Sequence, residues 1–407
     1  MMIKNSYYLF FFISLIARLI HLNYSGYNYD FCCDVPRYLN LSDNIINHNY
    51  NLLDDLFIVA PFYPYYLAFL KIINNENYIT ILISTQIFIS SISTVFIMKI
   101  SKEIFKEKKI IYISGLIYSI YPTTLFYTHM IGQETFFQFF FIVSCFFFSK
   151  FINKNKRKNL LIFTIFITLS FLTKSHVSIV VIFLLISVII LSKNINNKIY
   201  NILIIIITLN IICFPNAYYN YKKNGVYALS TTGLGLSMSS NSDNFYNFLV
   251  EIKNINQLKN PETINFYPPK IDSAQKIKDK EKFWIEEAIK WIKNNPKKFI
   301  EMKFYNLYNF ILPGVNKNHY TFKVWLFSFL IALPLYIGAY IEICRNAIKD
   351  YKKHLLIISV GLGMMFYSVL FFPQDRINYI MLEPLYIVYF SNFIKEILVN
   401  IKKNIII

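Results

Sequence analysis

Long apolar runs, broken by short polar stretches, set the pattern of this chain. They fall at about 7–22, 78–98, 110–127, 135–151, 160–172, 177–191, 202–218, 322–343, 355–372 and 379–398. A helix needs about 20 mostly apolar residues to cross a hydrocarbon core of about 30 Å, and several runs approach that length. The pattern predicts an all-α polytopic membrane protein of about ten transmembrane helices with a mixed extracytoplasmic cap. Three regions follow. Residues 1–218 form an N-terminal membrane bundle with a loaded first outer loop at 23–77. Residues 219–320 form an extracytoplasmic segment, and 321–407 the C-terminal membrane helices. Within the middle segment Trp284, Ala288, Trp291 and Ile292 recur at helical spacing, and Pro296 ends that helix. Aromatic, lysine-rich helices of this kind lie in the membrane interface plane.

Composition agrees with the membrane reading. Of 407 residues 55% are apolar, 18% aromatic and only 16% charged, where soluble domains carry about 25% charge. The formal charge of +18 comes from 41 Lys and Arg against 23 Asp and Glu. It does not mark a nucleic-acid binder. Ile, Asn, Lys, Phe and Tyr dominate, as AT-rich codons would dictate, and the cations sort by loop. Lys99, Lys102, Lys106, Lys108 and Lys109 share one connection, and Lys150, Lys154, Lys156, Arg157 and Lys158 another. Lys193 and Lys198 mark a third, and Arg345, Lys349, Lys352 and Lys353 a fourth. The alternating short loops hold none at 122–134, Lys174 alone in the next and Arg376 alone in the last. The positive-inside rule makes the first set cytoplasmic, with both termini. The first run lacks a small-residue cleavage site and carries Arg18, so it reads as a retained anchor. The expected location is a bacterial inner membrane with the active site extracytoplasmic.

The lysine bias makes arginine informative, because the chain has just five: Arg18, Arg37, Arg157, Arg345 and Arg376. Five cysteines supply no disulfide framework. Vicinal Cys32 and Cys33 lack a His or Cys partner at ligand spacing, so no metal site is expected.

Candidate chemistry gathers in the outer loops. Asp34, Arg37 and Tyr38 follow the first span, and Pro61, Tyr63 and Pro64 lie later in the same loop. A membrane-proximal carboxylate beside an arginine can accept a proton from an acceptor hydroxyl; a solvated loop carboxylate is the plainer reading. Glu134 and Thr135 open the fourth span, and a helix-starting acid favoured by the dipole is the alternative role there. Lys174 closes the fifth span. Pro215 and Asn216 lead to Asn220, Tyr221 and Lys222. Arg376 and Tyr379 precede Glu383 and Pro384. Tyr63, Tyr65 and Tyr66 suit interface anchors, and Arg376 suits a snorkelling cation as well as a ligand-binding one.

This order of motifs resembles the membrane glycosyltransferases of the type C fold, in particular bacterial relatives of protein O-mannosyltransferases and of the lipid A aminoarabinose transferase. The likeness rests on Asp34 and Tyr38, on Pro61, Tyr63 and Pro64, and on Glu134 and Thr135. It continues through Pro215 and Asn216 with Asn220 and Tyr221, the helix from Glu287 to Pro296, and Arg376, Tyr379 and Pro384. Arg is frequent in the family where Asn220 or Lys222 stands, and a second acid usually adjoins the first-loop Asp, where this chain has Val35. The resemblance implies a polyprenyl-phosphate sugar donor and a glycan, lipid or protein acceptor, met at the membrane lipids with no nucleic acid involved. It implies Asp34 as general base, inversion, and a donor phosphate held by Arg376 and Lys174. Arg37, Tyr38, Tyr63, Glu134 and Tyr379 complete the implied substrate site. No cofactor is expected, since one isolated carboxylate is a poor site for a divalent cation. A polysaccharide polymerase or ligase, and a lipid-linked oligosaccharide flippase or transporter, are the rival readings.

Overall fold

The computed structural model describes residues 2–26, 34–48, 60–224, 227, 238, 240–251, 277–317, 320–371 and 375–406. Every element among them is helical: α1 Met2–Ser25, α2 Val35–Ile46, α3 Phe62–Ile73, α4 Tyr78–Phe105, α5 Lys108–Ile120, α6 Pro122–Tyr127, α7 Glu134–Lys154, α8 Arg157–Thr173, α9 Val177–Leu191 and α10 Ile195–Asn224. The single turn α11 Asp243–Tyr246 precedes α12 Ile277–Asn294, α13 Pro296–Ile311, α14 Phe322–Asp350, α15 Leu355–Leu370, α16 Asp375–Met381 and α17 Glu383–Ile406. In hydrocarbon only intrahelical bonds satisfy the backbone, which is why the apolar runs become helices.

Among the described residues five helical stretches are long and apolar enough to cross a membrane: Asn5–Ser25, Tyr78–Phe105, Glu134–Lys154, Ile195–Lys222 and Phe322–Leu370. The last combines α14 and α15 through the 3-10 turn Tyr351–His354. At 1.5 Å per residue, 49 residues would extend about 74 Å, more than twice the hydrocarbon thickness. The turn breaks them into two helices. Of α7's apolar window 72% is buried, against 17% for α1 and α10. Helix α7 is therefore the core of the bundle, and α1 and α10 present their surfaces to lipid. Its Phe137, Phe141, Phe148 and Phe151 pack with residues of α8, α9, α15 and α17 in the main core. Close approach of α14 and α17 depends on Gly338, where an added Cβ would fall 2.5 Å from Phe390.

The lysine-rich connections gather at one end. Lys395 on α17 pairs with Glu107 at 3.0 Å, and Asn153 donates to Glu103 at 3.0 Å. Arg157 donates to Asn197 at 3.0 Å, and Phe105 meets His354 with ring centroids 6.2 Å apart. These contacts tie all four connections and the C-terminal helix together. The loops poor in cations are consequently at the opposite end of α4, α5, α7, α8 and α9.

Two expectations need revising. The last apolar run, expected unbroken at 379–398, is broken at Leu382 into α16 and α17. Pro384 lacks a backbone donor and stands in the first turn of α17, where that N–H is not needed, so it marks the start of the new helix. The first outer loop, read as a polar loop, folds into two amphipathic helices, α2 and α3, braced by a 2.6 Å pair between Lys71 and Asp43. Asp30, Cys32 and Cys33 lie outside the described residues. Most of the Ser, Thr and Gly-rich stretch at 230–242 lies outside them too.

Arg18 is fully buried in α1, and among the described residues no carboxylate forms an ion pair with it. Its guanidinium donates to Ser90 Oγ at 2.8 Å, to the Ser14 and Ser119 carbonyls at 3.1 and 3.2 Å, and to Ser14 Oγ. A charge at this depth is tolerated because protein dipoles replace water on every side. Arg18 thus joins α1 to α4 and α5. Beyond it, His129 donates from Nε2 to the Arg18 carbonyl at 3.1 Å and meets His21 at 2.7 Å.

Candidate active site

The site is built at the end opposite the lysine-rich loops, beginning with α2. Asp34 is its N-cap and Pro36 stands in the first turn, where a missing N–H costs nothing. The Asp34 side chain makes no capping bond to the helix. It lies 3.8 Å from Arg37 one turn on, both side chains about a third or more exposed. An exposed pair of that length contributes little stability, so the carboxylate stays accessible.

One turn after Asp34, Tyr38 turns inward and meets Tyr63 of α3 edge to face, with ring centroids 5.1 Å apart. Tyr63 is wholly buried and also packs beside Phe136 of α7 at 6.3 Å. This corrects the reading of Tyr63 as an interface anchor: it is a core residue that joins the two first-loop motifs to α7. Tyr65, 48% exposed, keeps a surface position.

Two residues before Phe136, Glu134 receives Lys174 Nζ at 2.8 Å. Lys174 is 3% exposed and Glu134 8%. Gly132 clears space for the carboxylate, since a Cβ there would fall 2.5 Å from Glu134 Oε2. The preceding loop is pinned by Gln86, whose Nε2 donates to the Thr128 and Met130 carbonyls at 3.1 and 2.9 Å. Thr135 Oγ1 donates to the Tyr127 carbonyl at 2.9 Å. Glu134 is close enough to Tyr63 that its charge and the burial together push the phenol well above its usual range, burial being the larger cause. Asp34, Arg37, Tyr38, Tyr63, Glu134 and Lys174 therefore lie along one connected path through α2, α3, α7 and the α8 terminus.

The remaining two candidates stand on α16. Gln138, one turn below Glu134 on α7, donates to the Tyr379 and Ile380 carbonyls at 3.4 and 3.5 Å and accepts from Tyr118 OH at 3.0 Å. Tyr379 is buried at this contact. Arg376 precedes Tyr379 by three residues, about 4.5 Å along the helix, as Glu134 precedes Gln138 by four. The backbone of Arg376 is thus within about one turn of the α7–α16 contact; its side chain lies outside the described residues.

Glu383 is the acid that sequence reading noted without giving it a role. It is 1% exposed at the start of α17, with Thr123 Oγ1 and Tyr336 OH each donating at 3.4 Å and Tyr121 bonded to it as well. It lies twelve residues, about 18 Å, along α17 from the Lys395–Glu107 pair. The available signal was an acid inside a predicted span. Asn220 is buried at the end of α10, whereas Lys222 points outward over the Tyr218 ring at 5.6 Å. Among the described residues no group of three or more His, Cys, Asp or Glu side chains is placed to hold a metal ion.

A family model of dolichyl-phosphate-mannose-protein mannosyltransferases matches residues 59–219. That stretch holds Tyr63, Glu134 and Lys174 and leaves out Asp34 and Arg376. The crystal structure of the oligosaccharyltransferase of Archaeoglobus fulgidus in the apo form is similar to this chain, with a TM-score of 0.56 at 14% identity. The likeness covers 98% of this chain and 52% of that one, so the chain spans about half the length of that relative. At this identity the likeness is one of fold. Comparison with curated proteins gives no match. The chain has a type C glycosyltransferase-like membrane fold.

Proposed function

We propose that this chain transfers a glycosyl group from a polyprenyl-phosphate-linked sugar to an acceptor at the extracytoplasmic face of a membrane. The observation that carries the reading is the convergence at one end of the bundle. The half-exposed Asp34 carboxylate, the Tyr38–Tyr63 contact and the buried Glu134–Lys174 pair stand at that end, and α16, which carries Arg376, contacts α7 one turn below Glu134. The family match over 59–219 and the fold support the same class of reaction. Under the positive-inside rule this end faces away from the cytoplasm.

In this mechanism the donor enters sideways from the bilayer with its phosphate level with Glu134 and Arg376. Asp34 takes the proton of the acceptor hydroxyl, and the oxygen attacks the anomeric carbon. The bond from that carbon to the phosphate oxygen breaks, and polyprenyl phosphate leaves with the electron pair, inverting the anomeric centre. Arg376 holds the leaving phosphate through two parallel hydrogen bonds. Lys174 adds a second cation, its position fixed by Glu134. Tyr38, Tyr63 and Tyr379 shape the wall, and Arg37 stands beside Asp34. No step requires a metal ion.

The test is Asp34→Asn in purified protein given a polyprenyl-phosphate sugar. Transfer falls by about 10²–10⁴-fold, the usual contribution of a positioned base, while donor binding persists. Wild-type turnover in that variant would refute the assignment. Mass spectrometry of lipid-linked sugars and surface glycans with and without the gene names the sugar and the acceptor class.

A further inference from the structure

A cavity lies apart from the Asp34–Lys174 path. It measures about 200 Å³ and sits where the end of α13 turns through 312–317 into α14. That is the volume of about seven water molecules, smaller than a drug-sized pocket and suited to one sugar ring.

The cavity has a constructed wall. Gly314 adopts φ +81°, and a Cβ there would fall 2.9 Å from the Phe329 backbone nitrogen and from Ser328 Oγ. Only glycine allows so close an approach to α14 in that conformation. Val315 N–H then donates to Ser328 Oγ at 3.0 Å and fixes the turn. Aromatic rings from both helices line the cavity. Trp325 and Phe329 of α14 are stacked with centroids 5.5 Å apart, and Tyr305 and Tyr308 of α13 stand 6.3 Å apart.

The polar lining selects the ligand. Asn309 is 8% exposed and lines the cavity. Its Oδ1 accepts from Asn316 at 3.3 Å, but its Nδ2 has no hydrogen-bond partner among the described residues. A buried donor left unmade is unfavourable, so the site favours a ligand that brings an acceptor. Lys317, exposed at the rim, adds a positive charge. An acyl chain would match the aromatic rings and leave both polar groups unused. A pyranose satisfies all three: its C–H face lies on an aromatic ring, its hydroxyls accept from the amide, and an anionic substituent reaches the lysine.

We infer that this cavity binds a pyranose unit carrying a phosphate or carboxylate. Phe310, next to Asn309, accepts from Asn378 of α16 at 3.4 Å. The helix that carries Asn309 therefore contacts the helix that carries Arg376, which suits an acceptor subsite. As an acceptor subsite it rests on the transfer reading above; as a binding site for an anionic sugar it does not.

The experiment uses full-length protein in lipid nanodiscs, titrated with glucose 1-phosphate, methyl glucoside and inorganic phosphate. Tryptophan fluorescence and saturation-transfer NMR read the binding. Glucose 1-phosphate saturates the signal, methyl glucoside binds more weakly, and Asn309→Leu and Trp325→Leu each lose at least tenfold in affinity. Lys317→Gln, an exposed change that leaves the fold alone, abolishes the preference for glucose 1-phosphate over methyl glucoside. Equal binding of inorganic phosphate and glucose 1-phosphate, or unchanged affinity in Asn309→Leu and Trp325→Leu, overturns the site. Asp34→Asn keeps sugar binding, which separates failure of this inference from failure of the transfer mechanism. Wild-type transfer in Trp325→Leu protein that has lost sugar binding would overturn the acceptor role.

Discussion

The Glu134–Lys174 pair allows a thermodynamic test. At 2.8 Å, with the Lys174 side chain 3% and the Glu134 side chain 11% exposed, neither charge is solvated by water. Lys174→Met removes the cation paired with a buried carboxylate, and Glu134→Gln removes the anion paired with a buried ammonium. Removing one partner of such a pair costs about 3–5 kcal/mol. For a chain of this length that corresponds to a fall in melting temperature of about 5 °C. The double variant removes both charges and regains most of that loss, because replacing a whole buried pair is near neutral or stabilising. Thermal unfolding of the four proteins in one detergent closes the cycle, and transfer is measured on the same samples. If Lys174 also steadies the donor phosphate, the double variant is stable yet slower by roughly 10- to 100-fold, the equivalent of one charge-assisted hydrogen bond. A coupling energy under about 0.5 kcal/mol would mean that the two residues act independently. Full transfer in the stable double variant would remove Lys174 from the phosphate site.

Three further outcomes are expected. Arg376→Lys keeps the charge and loses the two-pronged grip, so transfer falls about 10- to 100-fold with donor affinity reduced; wild-type values for both would reduce Arg376 to a snorkelling cation. Glu383→Leu deprives Thr123 and Tyr336 of their acceptor and destabilises by about 1–3 kcal/mol per buried hydroxyl, whereas Glu383→Gln keeps an acceptor and loses less; equal melting of Leu and wild-type protein refutes that account. Burial pushes the Lys303 ammonium down to about 8, below its ordinary value near 10.5. The folded state then binds fewer protons than the unfolded between those values, so stability rises with pH across that window. Melting temperature should climb from pH 8 to 10 in wild type and climb less in Lys303→Met; identical slopes contradict it.

Much of the architecture was legible in the chain. Loop cations marked one end of the bundle because each connection there is short and keeps several lysines, and the contacts of Glu103, Glu107, Asn153 and Phe105 bring those connections together. The Glu134–Lys174 pair was legible in principle too. Helices α7 and α8 meet in a two-residue connection, which makes them antiparallel neighbours. Glu134 precedes Lys154 by twenty residues and Lys174 follows Arg157 by seventeen, so both return to the same level. Taken separately each reads as a lone helix-end charge, and only this antiparallel register pairs them. The break at Leu382 was announced by Pro384 inside an apolar run. The inward turn of Tyr38 and Tyr63 was not legible, because a tyrosine near a membrane surface suits an anchor as well as a core. Only the packing of α2 and α3 on Phe136 decides it.

The scarcity of arginine in a lysine-dominated chain was the reason for weighting Arg376, and the other four show what scarcity means. Arg18 distributes its donors among Ser14, Ser90 and Ser119. Arg157 bonds Asn197 and lies over the Tyr200 ring at 5.1 Å. Arg345 pairs with Glu342 at 3.2 Å, and Arg37 with Asp34 at 3.8 Å. In Arg18 and Arg157 the planar fork serves several partners or a ring face, work that an ammonium does poorly. Scarcity therefore signals a partner needing a fork, without saying whether that partner is protein or ligand. Placement supplies the missing half of the argument for Arg376. Its helix is short and is held against α7 through its own carbonyls by Gln138. Those bonds hold the helix by its backbone, and the proposed mechanism assigns its arginine to the donor phosphate.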